Sequence, residues 1–201
     1  MSKNNNSYHH GDLRSSLVAE AAAMIAEGGV AAVTMREIGR RLGVSRAAPY
    51  RHFSDKNALL VAVAAAGFDR LNQRLREVES GGEPPSLAGF QRMGAAYVRF
   101  ALENPAHYRL MYGREALTRA ELPVLREAGN QLFEGLVSLF ELHQEAGLIR
   151  RQDPRAQAYI AWSPVHGLAP LLIDGQIMAA VDVDELIQRT TRTLLEGMGT
   201  K

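Results

Sequence analysis

Between Ala31 and Lys56 the sequence reads AAVTMREIGRRLGVSRAAPYRHFSDK, and the Leu42-Gly43-Val44 step at its centre leaves the chain few ways to fold. Thr34 is an N-capping residue type, and Met35, Ile38 and Leu42 follow it three and four residues apart, on one helical face. Gly43 is suited to end that helix, and Val44 to plug the angle behind it. Ser45 can cap a second short helix that carries Arg46, Ala47, Tyr50, Arg51 and His52 outward until Phe53 closes it. Two short helices joined by a glycine-containing turn form a helix-turn-helix wedge. Its outward side chains include guanidinium, imidazole, phenol and hydroxyl groups, the types that reach phosphates and base edges in a DNA groove. Periodicity alone is equally compatible with a small helical hairpin of no such role.

Charge distribution favours the groove. Residues 1–56 hold eight Lys or Arg against five Asp or Glu, whereas residues 57–201 hold fifteen against seventeen, so the positive excess lies with the wedge. The whole chain carries only +1 at pH 7. A protein that coats polyanions indiscriminately would be far more basic, and a discrete footprint with a few phosphate contacts fits better.

The wedge also resembles the amino-terminal DNA-binding domain of the TetR family of transcriptional regulators. The resemblance is carried by Thr34, Arg36, Ile38, Gly39, Leu42, Gly43, Val44 and Ser45, then by Tyr50, His52, Phe53, Lys56, Leu59 and Leu60. It covers residues 11 to about 70. A weaker resemblance, through Asn104-Pro105, Tyr108, Trp162 and His166-Gly167, is to the subgroup with a Trp-His-Gly type carboxy-terminal domain. Pro49 departs from the pattern, because the family usually has an aliphatic residue there, and should shorten or tilt the second helix.

At 201 residues the chain is long for one small DNA-binding module and can bury a second, larger core. With no cysteine, neither a disulfide nor a thiolate metal site can form, which suits a reducing cytoplasm. The polar opening MSKNNNSYHHGD is no apolar leader, and no uncharged apolar run reaches the eighteen residues of a membrane span. Residues 1–10 read as a loosely ordered arm whose adjacent histidines are incidental rather than metal ligands.

The remaining pattern is helical throughout. Leu13, Leu17, Ala21, Met24 and Ile25 mark a first helix ended by Gly28-Gly29, and Leu59 to Val78 a long helix broken by SGGEPPS from Ser80. Leu87 to Ala101 form another stripe. Asn104-Pro105 and Asp153-Pro154 are cap-then-proline starts, Gly147 is a helix end, and Asp182 with Glu185 resembles a capping box. Pro164 and Pro170 should bend or break the helix that carries Trp162. The expected fold is all-α, with about nine helices and no strand. It comprises a three-helix DNA-binding domain over 1–56 and a larger ligand-binding and dimerisation domain over 57–201.

Thr34, Arg36, Ser45, Arg46, Ala47, Tyr50, Arg51, His52 and Lys56 are the expected DNA contacts, with Thr34 and Arg36 clamping the backbone and Ala47 small enough to admit a thymine methyl. Phe90, Met93, Tyr97, Tyr108, Met111, Phe133, Tyr159, Trp162 and His166 are candidate walls of a small-molecule pocket, although aromatics and Met at helical spacing are equally core residues. His107 and His143 read as surface residues. No catalytic motif, phosphate-binding glycine loop or metal-ligand pair occurs, and no cofactor is implied. The resemblance implies a ligand-responsive regulator, most simply a repressor, that binds a near-palindromic operator in double-stranded DNA as a homodimer through its last two long helices. A helical protein-interaction module without sequence-specific DNA binding is the alternative.

Overall fold

The computed structural model describes residues 10–79, 84–113, 122–177 and 181–198. The expected arm therefore lies outside the described residues, except for the start of the first helix at His10, as do Ser80 to Glu83 of the SGGEPPS break. Among the described residues there are eight α-helices, one short 3-10 helix and no strand, so the all-α expectation holds. In chain order the helices are α1 (His10–Ala32), α2 (Met35–Arg41), α3 (Lys56–Glu79), α4 (Leu87–Glu103), α5 (Pro105–Tyr112), α6 (Leu122–Glu145), α7 (Pro154–Ile173) and α8 (Val183–Met198). The 3-10 helix, Pro49–Arg51, stands where the second wedge helix was expected.

The chain divides into two compact units. One holds the described residues up to Gly67 together with those between Ala106 and Leu125, and the other holds Phe68–Pro105 and the described residues from Arg126 onward. The division runs through α3 rather than before it. The expected boundary at 56/57 sits at the start of that helix.

Local chemistry explains the helix ends. Thr34 is extended and its hydroxyl accepts from the Glu37 N–H at 3.1 Å, as an N-cap does. Gly43 has a φ of +66°, and the Gly43 N–H donates to the Arg40 carbonyl while the Val44 N–H donates to that of Gly39. That is a complete Schellman ending, and it requires a residue at ease in the left-handed region. Asp153 and Asp182 cap α7 and α8 by accepting from the N–H of Arg155 and Glu185, at 3.0 and 3.1 Å. Inside α1, Gly28 and Gly29 leave helical geometry, with Gly29 at φ +73°, so the helix is broken where the sequence places its end and resumes for one further turn.

The first unit buries Leu17, Met24, Val33, Ile38, Phe53, Leu59 and Leu60. Residues 13–32 of α1 have the length and apolar content of a membrane span. Leu17, Ala21, Met24 and Ile25 are nevertheless buried among the core residues, and Arg14, Glu20 and Glu27 interrupt the run. In the second unit α4 packs against α7 and α8. Its core joins Phe90, Val137, Leu139, Phe140, Ile149, Ala158, Ala161, Leu195 and Met198. The helix α7 continues through both Pro164 and Pro170, so neither proline breaks it.

Two histidines expected at the surface are buried. His107 is 5% and His143 3% exposed. The Nδ1–H of His143 donates to the Leu139 carbonyl at 2.9 Å within α6, which satisfies the ring locally and lets it enter the interior beside Phe90.

Candidate nucleic-acid interface

The wedge is built by α2, the Gly43 turn and the segment from Ser45 to Phe53. That segment is not an α-helix. Its hydrogen bonds run three residues back, from Ala48 N–H to Ser45, from Arg51 N–H to Ala48 and from His52 N–H to Pro49, at 3.0, 3.2 and 3.0 Å, and only at its close does a four-residue bond form, from Phe53 N–H to the same Pro49 carbonyl at 3.0 Å. Pro49, which has no N–H of its own, is buried against α2 at Gly39, where a Cβ would lie 3.4 Å from the proline Cγ.

The positive side chains fall into two sets. Arg40 forms a two-pronged bond to Glu37, Nε to Oε2 at 2.8 Å and Nη2 to Oε1 at 2.6 Å. Arg41 reaches three carboxylates, Glu20 at 3.2 Å, Glu27 at 2.8 Å and Glu37 at 3.3 Å, and so ties α2 to α1. The bond from Arg40, with help from Arg41, holds the Glu37 carboxyl down to about 2, and Arg41 likewise lowers Glu27. The guanidinium of Arg41 is raised in turn by its bonds to Glu27 and Glu20. The Lys56 ammonium donates to the Val30 carbonyl at 2.7 Å, pinning the last turn of α1 to the start of α3. Arg14 lies over the Phe53 ring, 5.1 Å from its centroid.

In contrast, the guanidiniums of Arg36, Arg46 and Arg51 are exposed and make no ion pair or hydrogen bond among the described residues. Tyr50 is 57% exposed. Ser45 and Ala47 are exposed beside them, whereas His52 and Lys56 are half-buried. Of the nine expected DNA contacts, Arg36, Ser45, Arg46, Ala47, Tyr50 and Arg51 therefore present open side chains. Thr34 is exposed, with its hydroxyl engaged as a cap, and Lys56 is engaged as an internal tie.

The nine pocket candidates separate. Tyr108 and Met111 fall in the first unit, where Met111 packs on Gly67 and Tyr108 stacks on Tyr112 with ring centroids 5.0 Å apart. Phe90, Met93 and Phe133 belong to the core of the second unit or pack against it. Tyr97, Trp162 and His166 form a polar constellation between α4 and α7. The Trp162 indole N–H donates to the Tyr97 hydroxyl at 3.0 Å, and that hydroxyl lies 2.9 Å from His166 Nδ1. Because the hydroxyl accepts from the indole, its own proton can go to Nδ1, which selects the neutral imidazole with its proton on Nε2. Burial lowers the His166 pKa and favours that neutral form. Tyr159 is 51% exposed and stacks on Phe133 at 4.3 Å.

Two family models match this chain. "Bacterial regulatory proteins, tetR family" matches residues 17–63, and "Tetracyclin repressor-like, C-terminal domain" matches residues 90–194, more than half of the chain. The chain belongs to the TetR family. Its family is one of bacterial transcriptional regulators, and its fold is theirs. A solved structure of a protein of unknown function from Rhodococcus sp. RHA1 superposes with a TM-score of 0.84 at 34% identity, covering 97% of this chain and 100% of the other. A TetR/AcrR-family transcriptional regulator from Thermobifida fusca shares the fold, with a TM-score of 0.73 at 21% identity over 92% of this chain and 98% of that one. Among curated proteins, the nucleoid occlusion factor SlmA of Aliivibrio fischeri is 30% identical over 117 residues, 56% of each chain. The chain spans about half the length of the curated relatives it matches.

In this TetR-family chain, sequence reasoning missed the Arg41 cluster and the Lys56 tie. Arg41 is one of two adjacent arginines at the end of a basic helix, and nothing local distinguishes it from Arg40. The available signal was weak: Glu20 and Glu27, seven residues apart and so on one side of α1.

Proposed function

We propose that this TetR-family protein is a homodimeric repressor. It binds a near-palindromic operator in the cytoplasm and leaves it when a small-molecule effector occupies the second unit. The observation that carries the DNA reading is the set of exposed guanidiniums of Arg36, Arg46 and Arg51 around the exposed Tyr50, beside Arg40 and Arg41, which pair with carboxylates, and Lys56, which is held by a backbone carbonyl. Arg36 and the Thr34 turn contact phosphates from α2, while Arg46, Tyr50 and Arg51, flanked by Ser45 and Ala47, face base edges. His52 and Lys56 support this surface from a half-buried position.

A single wedge covers few base pairs, and pairing two copies supplies two half-sites one helical turn apart. Dimerisation engages the last two long helices. The leucines of α8 contribute little to that seam, since Leu195 lies in the core of its own unit and Leu194 packs against it. The outward residues Asp184, Glu185, Arg189, Arg192 and Glu196 of α8 are charged. The apolar contribution comes from α7, where Tyr159, Ile160 and Leu171 are exposed. The effector site lies around Tyr97, Trp162 and His166, where aromatic walls surround a few polar atoms.

The test is a gel-shift titration on the DNA upstream of its own gene, at graded salt and with a panel of small molecules. Sequence-selective retardation that weakens with salt, and that one compound reverses at the concentration at which it changes Trp162 fluorescence, is expected. Absence of retardation at low salt would sink the DNA reading. A compound that saturably quenches Trp162 without releasing DNA would dissociate the effector site from regulation.

A further inference from the structure

We propose that Pro49 sets the operator specificity of the wedge by holding the reading segment in 3-10 rather than α geometry; this rests on the DNA-binding reading above. An α-helical turn here would take the N–H of residue 49 to the Ser45 carbonyl. Proline has no N–H, and its ring would press on that carbonyl. The Ser45 carbonyl instead accepts from Ala48, and Arg51 to Ala48 and His52 to Pro49 keep the same three-residue span, until the Phe53 N–H shares the Pro49 carbonyl in a four-residue bond that closes the segment.

Packing locks this geometry in place. The Pro49 ring is buried against α2 at the one residue there that lacks a side chain in that helix face, Gly39. A Cβ added at Gly39 would sit 3.4 Å from the proline Cγ and 3.6 Å from the Ser45 carbonyl oxygen. The segment therefore rests on α2 through a rigid ring and cannot rewind without losing that contact.

The consequence falls on the side chains that read DNA. A 3-10 helix turns about 120° and rises about 2 Å per residue, against about 100° and 1.5 Å in an α-helix. Over the three steps from the cap Ala48 to Arg51, conversion to an α-helix would swing the Arg51 side chain by about 60° and shift it along the axis by about 1.5 Å. Within the 3-10 turn residues three apart eclipse, so half-buried His52 follows buried Pro49 inward, whereas exposed Arg46 lies ahead of that turn. Tyr50 and Arg51 remain outward. A guanidinium moved by that much meets a different base edge, with a different pattern of donors and acceptors. Phosphate contacts from Arg36 lie on α2 and are untouched.

The experiment compares the full-length wild type with Pro49→Ala, which restores the N–H, and Pro49→Leu, which also refills the buried volume. Each is used to select sequences from a pool of random duplex DNA. Affinity for the selected duplex and for a scrambled one is then measured over a salt series, with thermal unfolding by circular dichroism recorded alongside. Folded variants should select a different half-site, or discriminate the wild-type sequence from scrambled DNA about tenfold less, with an unchanged salt slope. Selection of the wild-type half-site with undiminished discrimination overturns the proposal, as does failure of both variants to fold, which would make Pro49 structural only. If the wild type itself selects no sequence, the DNA-binding reading fails first.

Discussion

Replacing Tyr97 by Phe isolates the contribution of one hydroxyl to the second unit, because the ring is buried and the change removes a single atom. That hydroxyl accepts from the Trp162 indole at 3.0 Å and lies 2.9 Å from His166 Nδ1, so two hydrogen bonds between α4 and α7 are lost together. A neutral hydrogen bond contributes a net 0.5 to 1.5 kcal/mol, which puts the loss at about 1 to 3 kcal/mol. The chain holds one tryptophan, and it is a partner in this bond. Urea unfolding followed by intrinsic tryptophan emission therefore reports both the stability and the site. Tyr97→Phe should lower the midpoint without changing the slope and should shift the native emission, since the indole N–H loses its acceptor. A double-mutant cycle with His166→Phe should give a coupling energy of about 0.5 kcal/mol or more, because the two groups share one bond. Destabilisation below about 0.5 kcal/mol together with unchanged emission would refute the reasoning, since the hydroxyl would then not be held between the two rings.

Three further outcomes are expected. Lys56→Met should destabilise the first unit by about 1 to 3 kcal/mol, because it leaves the part-buried Val30 carbonyl without its charged donor, and chemical unfolding would measure this; an equally stable variant would return Lys56 to the role of a phosphate contact alone. Burial holds the His166 pKa below its ordinary value of 6.5, so the unfolded chain binds more protons just under that pH; wild-type stability should fall as pH drops from 6.5 toward the folded pKa, and His166→Asn should lack that part of the slope. Ile160→Asp, at an exposed position on α7, should yield folded monomers by sedimentation at micromolar concentration if α7 supplies the seam, and a persisting dimer would move the seam elsewhere.

Signals that act over one helical turn were legible in the sequence. Thr34, Gly43, Asp153, Asp182 and Gly147 each sit at the helix end their chemistry predicts, because capping is decided by a hydrogen bond within a few residues. What the sequence hid was the choice among equivalent long-range partners. Arg41 meets glutamates four, fourteen and twenty-one residues away, and Lys56 meets a carbonyl twenty-six away. Leu194 and Leu195 of α8 meet the core of their own unit, and periodicity cannot tell whether such an apolar face meets its own subunit or another. His143 shows the same limit from the polar side. A histidine near a helix end reads as exposed, but its ring is satisfied by the carbonyl one turn back and so can be buried at little cost.

The division of cations in the wedge has an energetic logic that bears on function. Arg40, Arg41 and Lys56 have internal partners; Arg40 pairs within α2, while Arg41 and Lys56 tie α2 and α3 to α1 before any DNA arrives and reduce what must be ordered on binding. Arg36, Arg46 and Arg51 have none among the described residues, so their charge is compensated only by solvent and salt until phosphates or base edges replace it. Substitution in the two sets should therefore separate stability from affinity. Arg46→Gln removes no internal contact and should leave unfolding within about 0.5 kcal/mol of wild type. The same change should cost about 1 to 3 kcal/mol of operator binding, with most of the loss in discrimination between sequences. Arg41→Gln cuts three ion pairs and should loosen the wedge in the absence of DNA, weakening every sequence alike through the loss of a preformed surface. If Arg46→Gln instead destabilised the protein as much as Arg41→Gln, the exposed set would be part of the scaffold, and the reading face would have to be sought elsewhere.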